Sequence, residues 1–147
     1  MPTNLYGPHD NFDLERSHVL AALMRKAHEA KQTGASEIVV WGSGNPRREF
    51  LHVDDLAAAC LFLLQHYDQP EIINVGTGKD LTIRELAELV CEIIGFEGGL
   101  SWDRTKPDGT PARCSISQKI ESLGWKPAIR LREGIAKTYE WFKAHHR

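Results

Sequence analysis

Apolar residues recur along this chain in two rhythms that alternate from segment to segment. Val19, Leu20, Leu23, Met24 and Ala27 fall on one side of a 3.6-residue repeat, which predicts an amphipathic helix over residues 18–31. Ser17 stands where its N-cap belongs, and Gly34 where it should stop. Residues 37–41 read as a strand, and residues 48–52 as a second short one. Asp54 and Asp55 open a helix to residue 66, where acidic groups suit the positive end of the dipole. Its Leu-Ala-Ala-Ala-Cys-Leu-Phe-Leu-Leu run is apolar nearly all round, so the helix should lie sandwiched between layers. Residues 71–75 read as a buried strand ending in Gly76-Thr77-Gly78. Thr82 and Glu85 form a capping box for a helix to residue 94. A short strand over 99–102 follows, then a loop over 106–111 dense in turn residues. Ser115-Ile116-Ser117 should cap a short helix ending at Gly124, and a terminal helix should span 131–145. At the start, residues 1–5 read as the end of a strand running into a turn at Tyr6-Gly7-Pro8.

Alternating strands and helices argue an α/β fold, taken here as one domain over 1–147. The strands are few and short for a complete doubly wound sheet, and no βα unit precedes the first. The expectation is therefore a piece of a larger sheet, whose first strand and 54–66 helix lack packing partners. Apolar surface exposed in that way should drive association or partial disorder.

Composition narrows the class. A hydrophobic content of 41% with 26% charged residues belongs to a soluble globular chain, not a disordered one. The formal net charge of -2 leaves no basic footprint for nucleic acid. The longest apolar runs are too short to span a bilayer, and no signal peptide is visible. Cys60, Cys91 and Cys114 are far apart, with no Cys/His metal spacing, which predicts no metal site and points to the cytoplasm.

Candidate chemistry begins at the Gly42-Ser43-Gly44-Asn45-Pro46 turn, which presents Arg47 and Arg48. A guanidinium held after a rigid turn suits phosphate, because its planar donors match phosphate oxygens. No GxGxxG or GxxGxxG fingerprint follows any strand, and the GxG pairs read as turn glycines. Tyr139 and Lys143 match the Tyr-x3-Lys spacing of a reductase acid. They lie on the amphipathic terminal helix, where any i,i+4 residues are neighbours, so they read as a half-buried tyrosine and a surface lysine. His52 should hydrogen-bond locally and order the loop before Asp54. Neither His9 nor His52 has further ligands at metal spacing. The terminal His145-His146-Arg147 reads as frayed.

Several motifs together resemble the GDP-L-fucose synthases, extended short-chain dehydrogenase/reductases of the NAD-dependent epimerase/dehydratase group. They are Pro2-Thr3-Asn4-Leu5-Tyr6-Gly7-Pro8, His9-Asp10-Asn11-Phe12, Ser17-His18-Val19, residues 40–56 and Lys106-Pro107-Asp108-Gly109-Thr110-Pro111. The resemblance runs from Pro2 to Phe142. It implies the C-terminal substrate-binding portion of an extended Rossmann-type reductase, with a few residual strands of a truncated parallel sheet. It implies NADP(H) as cofactor, a GDP-sugar as substrate, and an oxidoreductase and isomerase activity of nucleotide-sugar metabolism. Pro2, Thr3, Asn4 and Leu5 would line the nicotinamide end, and His18 would close it and move protons during epimerisation at C3 and C5. Lys26, Trp41, Arg48 and Asp108 would hold the GDP-sugar: Trp41 by stacking on the base or covering the sugar, Arg48 by clamping the diphosphate, Asp108 by accepting from ribose hydroxyls or guanine nitrogens. Lys26 replaces an arginine common in the family, keeping the charge but losing the fork.

Plainer readings stay open for each. Trp41 could sit in the core, Lys26 on a solvated helix face beside Arg25, and Asp108 in an ordinary turn. Arg48 could form a surface bridge to Glu49 or Asp54, and Arg47 carries no assigned role. The dinucleotide-binding half, the Tyr–Lys pair and the family's partner cysteine would all lie upstream, so the isolated chain should not turn over. Met1 stands where relatives often carry an internal methionine, which leaves a misplaced start, a gene fragment and an expressed domain equally open. The partners implied are the GDP-sugar and the N-terminal half, with a homo-oligomer left open and neither nucleic acid nor membrane. Rival readings are the lobe of another nucleotide-sugar epimerase or dehydratase, and a non-catalytic sugar-nucleotide-binding or assembly module.

Overall fold

The computed structural model describes residues 1–108, 112–113 as backbone, and 117–146. Its elements are β1 (Asn4–Tyr6), α1 (Val19–Thr33), β2 (Glu37–Trp41), β3 (Arg47–His52), α2 (Val53–His66), β4 (Asp80–Thr82), α3 (Ile83–Ile94), β5 (Gly99–Asp103), β6 (Ala112–Arg113), α4 (Gln118–Ser122) and α5 (Leu131–His145). The α/β expectation holds. Residues 109–111, Cys114, Ser115 and Ile116 lie outside the described residues.

β3 is the hub of a four-stranded sheet. It runs parallel to β1, with Asn4 opposite Phe50, and antiparallel to β4, with Arg47 opposite Thr82. β6 adds in parallel at Arg47 and Arg48. Glu49, Phe50, Leu51 and His52 are buried in succession, as a strand covered on both faces requires. β2 and β5 form a separate parallel pair. β2 alternates strictly, sending Ile38 and Val40 inward and Trp41 outward.

Helices α1, α3 and α5 pack around one apolar core that includes Leu20, Met24, Leu86, Val90, Ile135 and Phe142. The capping box forms as read: Thr82 Oγ1 accepts from the Glu85 amide at 3.1 Å, and Glu85 Oε2 accepts from the Thr82 amide at 2.7 Å. Gly34 ends α1 in the left-handed conformation, as expected. A smaller core of Leu51, Ala59, Ile73, Val75, Ile120 and Trp125 lies apart from the first.

Several expectations change. The N-cap of α1 is His18, not Ser17, and its side chain makes no capping bond; the Ser17 hydroxyl is buried without a partner. Ser117 precedes α4 but donates to Glu121 Oε1 at 2.6 Å instead of capping. Residues 71–75 do not form a strand. Their contact with Met1–Thr3 is a single bridge between Pro2 and Val75, in which the Thr3 amide donates to the Val75 carbonyl and the Val75 amide to the Met1 carbonyl. The β4 and β6 pairings went unread, because strands of three and two residues carry almost no local signal. The terminal histidines are ordered by stacking, His145 on Trp141 at 4.3 Å and His146 on Phe142 at 4.8 Å.

α2 departs most. His52 caps it, its Nδ1 accepting from the Asp54 amide at 3.2 Å, and burial pushes the imidazole pKa down so that this nitrogen stays free to accept. Asp55 is buried, and its two carboxylate oxygens accept from the amides of Ala128 and Ile129 at 3.0 Å each, bolting α2 to the segment before α5. The helix is not sandwiched. Asp55 and Ala59 are its only fully buried residues, while Leu61 and Leu64 are 64% and 82% exposed and Cys60 is exposed rather than packed. None of the described helices is long and apolar enough to cross a membrane.

Leu86→Ala empties a fully buried site in the main core and is expected to cost about 2–5 kcal/mol in urea denaturation. Leu64→Ala removes a side chain already in water and should stay within about 0.5 kcal/mol. Equal losses at the two sites would contradict this division of the core.

Candidate functional site

Trp41 is the last residue of β2, and strand alternation turns it to solvent, where it is 53% exposed. The reading of Trp41 as a core residue therefore fails. The turn after it depends on Gly42 and Gly44, at φ of 85° and 80°. A Cβ at Gly42 would sit 2.5 Å from Asp108 Oδ1, and one at Gly44 would sit 2.6 Å from the Trp102 ring.

That close approach lets Ser43 hold Asp108. The Ser43 amide donates to Oδ1 and its hydroxyl to Oδ2, both at 2.7 Å. The loop after β5 is thereby latched onto the turn after β2. The Ser43 hydroxyl, then its amide, hold the Asp108 carboxyl below the usual carboxylate range. Ser43 escaped sequence reasoning, because its partner lies 65 residues away.

Pro46 leads the turn into β3. Arg47 is committed there: its Nε and Nη2 reach Asp80 Oδ1 at 3.0 and 2.9 Å. Arg48 donates to the Arg47 carbonyl at 2.7 Å and lines a cleft with Val19, Trp41, Pro46, Ile83 and Asp108. The cleft encloses about 160 Å³. Through Pro107 and Asp108 it adjoins a polar cavity of about 320 Å³ bounded also by Ser43, Asn45, Arg104 and Lys106. Two ammonium groups lie over Trp41, Lys26 at 5.5 Å and Lys106 at 5.0 Å from the ring centre. Lys26 is held by a 2.8 Å bond to the Val39 carbonyl, and burial lowers its pKa. Lys106 was not singled out from the sequence.

The remaining expected site residues are near but not in the cleft. His18 immediately precedes Val19, on the exposed first turn of α1. The loop before it is a run of side-chain-to-backbone bonds, Asn11 amide to Asp10, Asp13 amide to Asn11, and Glu15 and Arg16 amides to Asp13. Pro2–Leu5 joins the site through β3. The Thr3 hydroxyl and the Asn4 amide group both donate to the Glu49 carbonyl, at 3.1 and 2.9 Å, which ties β1 to β3. Glu49, another residue the sequence reading passed over, is fully buried and accepts from the Thr77 and Gly78 amides at 2.5 and 2.7 Å.

Tyr139 and Lys143 form no reductase pair. The Tyr139 hydroxyl meets His28 Nδ1 at 3.0 Å, Lys143 pairs with Glu140 at 2.9 Å, and burial pushes the phenol pKa up. The described residues contain no cluster of His, Cys, Asp or Glu able to hold a metal. What the cleft offers is a flat aromatic face, a planar guanidinium, ammonium groups and one fixed carboxylate, a set suited to a ring joined to an anion.

Because its carboxyl is held low, Asp108 keeps the Ser43 latch above the ordinary carboxylate pKa of 3.8 and loses it only as pH falls through the depressed value. The Ser43 amide resonance should therefore titrate with a midpoint below 3.8 and lose that titration in Asp108→Asn. A midpoint at or above 3.8 would show that the latch does not form.

The sequence model of the "NAD dependent epimerase/dehydratase family" matches residues 1–76, more than half of the 147. A "GDP-L-fucose synthase 1" of Arabidopsis thaliana is 63% identical over 97% of this chain and 44% of its own length. A "GDP-L-fucose synthase" of Escherichia coli is 50% identical over 97% of this chain and 47% of its own. The solved "gdp-l-fucose synthetase from Naegleria fowleri bound to NADP" superposes with a TM-score of 0.92 at 34% identity, over 99% of this chain and 46% of that one. The chain thus spans about half the length of the curated relatives it matches. The family match over more than half of the chain, together with a fold that superposes on a solved relative, places this chain in the NAD dependent epimerase/dehydratase family.

Proposed function

We propose that this chain is the substrate-binding portion of an NADPH-dependent enzyme that converts GDP-4-keto-6-deoxy-D-mannose to GDP-L-fucose by 3,5-epimerisation and 4-reduction. The observation that carries this reading is the shared cleft of Trp41, Arg48 and Asp108, with Lys26 over the same indole. Trp41 gives the base a flat apolar face. Arg48 offers its fork to the diphosphate, and the charge of Lys26 adds to it. Asp108, kept ionised by Ser43, accepts from ribose hydroxyls.

His18 is the acid/base group of this reading. An exposed imidazole with no capping bond can exchange a proton at C3 or C5, both adjacent to the C4 ketone, from one face of the sugar, and a second acid/base group from the N-terminal half would serve the opposite face to complete each inversion. NADPH supplies the hydride for C4. Residues Pro2–Leu5 would meet the cofactor with their main chain, since the polar side chains of Thr3 and Asn4 are already bound to Glu49. The Naegleria fowleri relative is the precedent for NADP. The dinucleotide-binding half is the partner this reading requires, and the bare face of α2 around Leu61 and Leu64 is apolar surface for it to cover. The cytoplasm is its natural compartment.

Isothermal titration of the purified chain should detect GDP, and Arg48→Ala should weaken it at least tenfold, the loss of a charge-assisted contact. The chain alone should not oxidise NADPH in the presence of the keto sugar. GDP affinity unchanged by Arg48→Ala would sink the cleft assignment, and turnover by the chain alone would sink the division of labour.

A further inference from the structure

Lys106 is the cation at the cleft that the proposed reaction leaves unused. Its ammonium lies 5.0 Å from the centre of the Trp41 ring and makes no hydrogen bond or ion pair among the described residues. Lys26, over the same ring, is tied to the Val39 carbonyl and is not free to follow a ligand. Lys106 shares the polar cavity with Arg104, whose guanidinium likewise has no such partner among the described residues.

The two cavities divide the work by their walls. The smaller one has Trp41, Val19, Pro46 and Ile83, apolar groups that suit the face of a ring. The larger has Ser43, Asn45, Arg104, Lys106 and Asp108, polar groups that suit its edge. Because Pro107 and Asp108 bound both, a base stacked on Trp41 would extend its rim toward Arg104 and Lys106.

Base edges differ in what they show a cation. Guanine presents O6 and N7 as adjacent acceptors, a pattern that lysine and arginine donors match. Adenine replaces O6 with an amino donor, which a cation repels. We infer that Lys106, seconded by Arg104, sets the base specificity of this site by donating to the O6/N7 edge of a guanine stacked on Trp41. This rests on the nucleotide-sugar reading and adds to it the choice of base.

The test titrates the 147-residue chain, and its Lys106→Met and Arg104→Met/Lys106→Met variants, with GDP, IDP, ADP and UDP at one fixed salt concentration. Methionine keeps the apolar stem over the indole, and far-ultraviolet circular dichroism checks that each variant is folded. The wild-type chain should favour GDP and IDP, which both carry O6 and N7, over ADP by roughly tenfold. Lys106→Met should weaken GDP and IDP and leave ADP and UDP nearly unchanged, and the double variant should bring all four within about threefold. A uniform loss for every nucleotide would mean that these cations serve the phosphates, and an unchanged GDP-to-ADP ratio would mean that they do not read the base. Either result overturns the inference. Absence of binding by the wild-type chain for every nucleotide overturns the nucleotide-sugar reading itself, a result distinct from either.

Discussion

Glu49 joins the parts of this molecule that sequence separates most widely. A carboxylate taken fully out of water is costly unless its oxygens are bonded. Here Oε1 accepts from the amides of Thr77 and Gly78 and from the Thr77 hydroxyl, and Gly76 must be glycine because a Cβ would lie 2.3 Å from that oxygen. The backbone carbonyl of the same residue takes the side chains of Thr3 and Asn4. One residue therefore fixes β1, β3 and the Gly76-Thr77-Gly78 turn together. Successive side chains of a strand point to opposite faces, so the inward anchor at Glu49 leaves its neighbour Arg48 directed toward the cleft. The position of Arg48 follows from the burial of the anchor.

A second constraint completes the cleft from the other side. The parallel pairing of β2 and β5 brings the turn after one strand beside the loop after the other, with Trp41 opposite Asp103 in register. Ser43 and Asp108 then close the gap. Neither contact is strong alone, since both groups face water. Their value is geometric: the Asp108 carboxylate is held between the two cavities instead of sweeping through solvent.

What could be read in the sequence is what local chemistry decides. The capping box at Thr82, the amphipathic stripes of α1, α3 and α5, and the alternation of β2 each carry their cause within a few residues. The errors arise where the cause is distant. Residues 71–75 have the composition of a strand, yet what they form is one bridge, to Pro2, more than 70 residues away. Ser17 and Ser117 look like caps, yet one hydroxyl is unbonded and the other is turned to Glu121. The α2 helix has the residues of a sandwiched element and only one side on which to pack. Of the cleft residues, Arg48 was legible from the turn that presents it, whereas Trp41 and Asp108 were reached through family resemblance, because no spacing rule links positions 41, 48 and 108. Ser43 and Glu49 went unread for the same physical reason: each acts on a segment far along the chain.

The cleft also shows how an exposed indole is tolerated. A tryptophan face half open to water forgoes burial, but two ammonium groups over the ring are attracted by its π-electrons, and their methylene stems can shield its surface. Were both lysines anchored, an arriving ring would have to break two sets of contacts. Were both mobile, the cleft would have no fixed charge and binding would have to order it. Lys26 is tied to β2 through the Val39 carbonyl, whereas Lys106 makes no hydrogen bond among the described residues and lies over the indole, so the site holds one cation more firmly than the other. Preorganisation and access are thus divided between two residues of the same charge, and the difference between them is a single hydrogen bond to the strand that carries the indole.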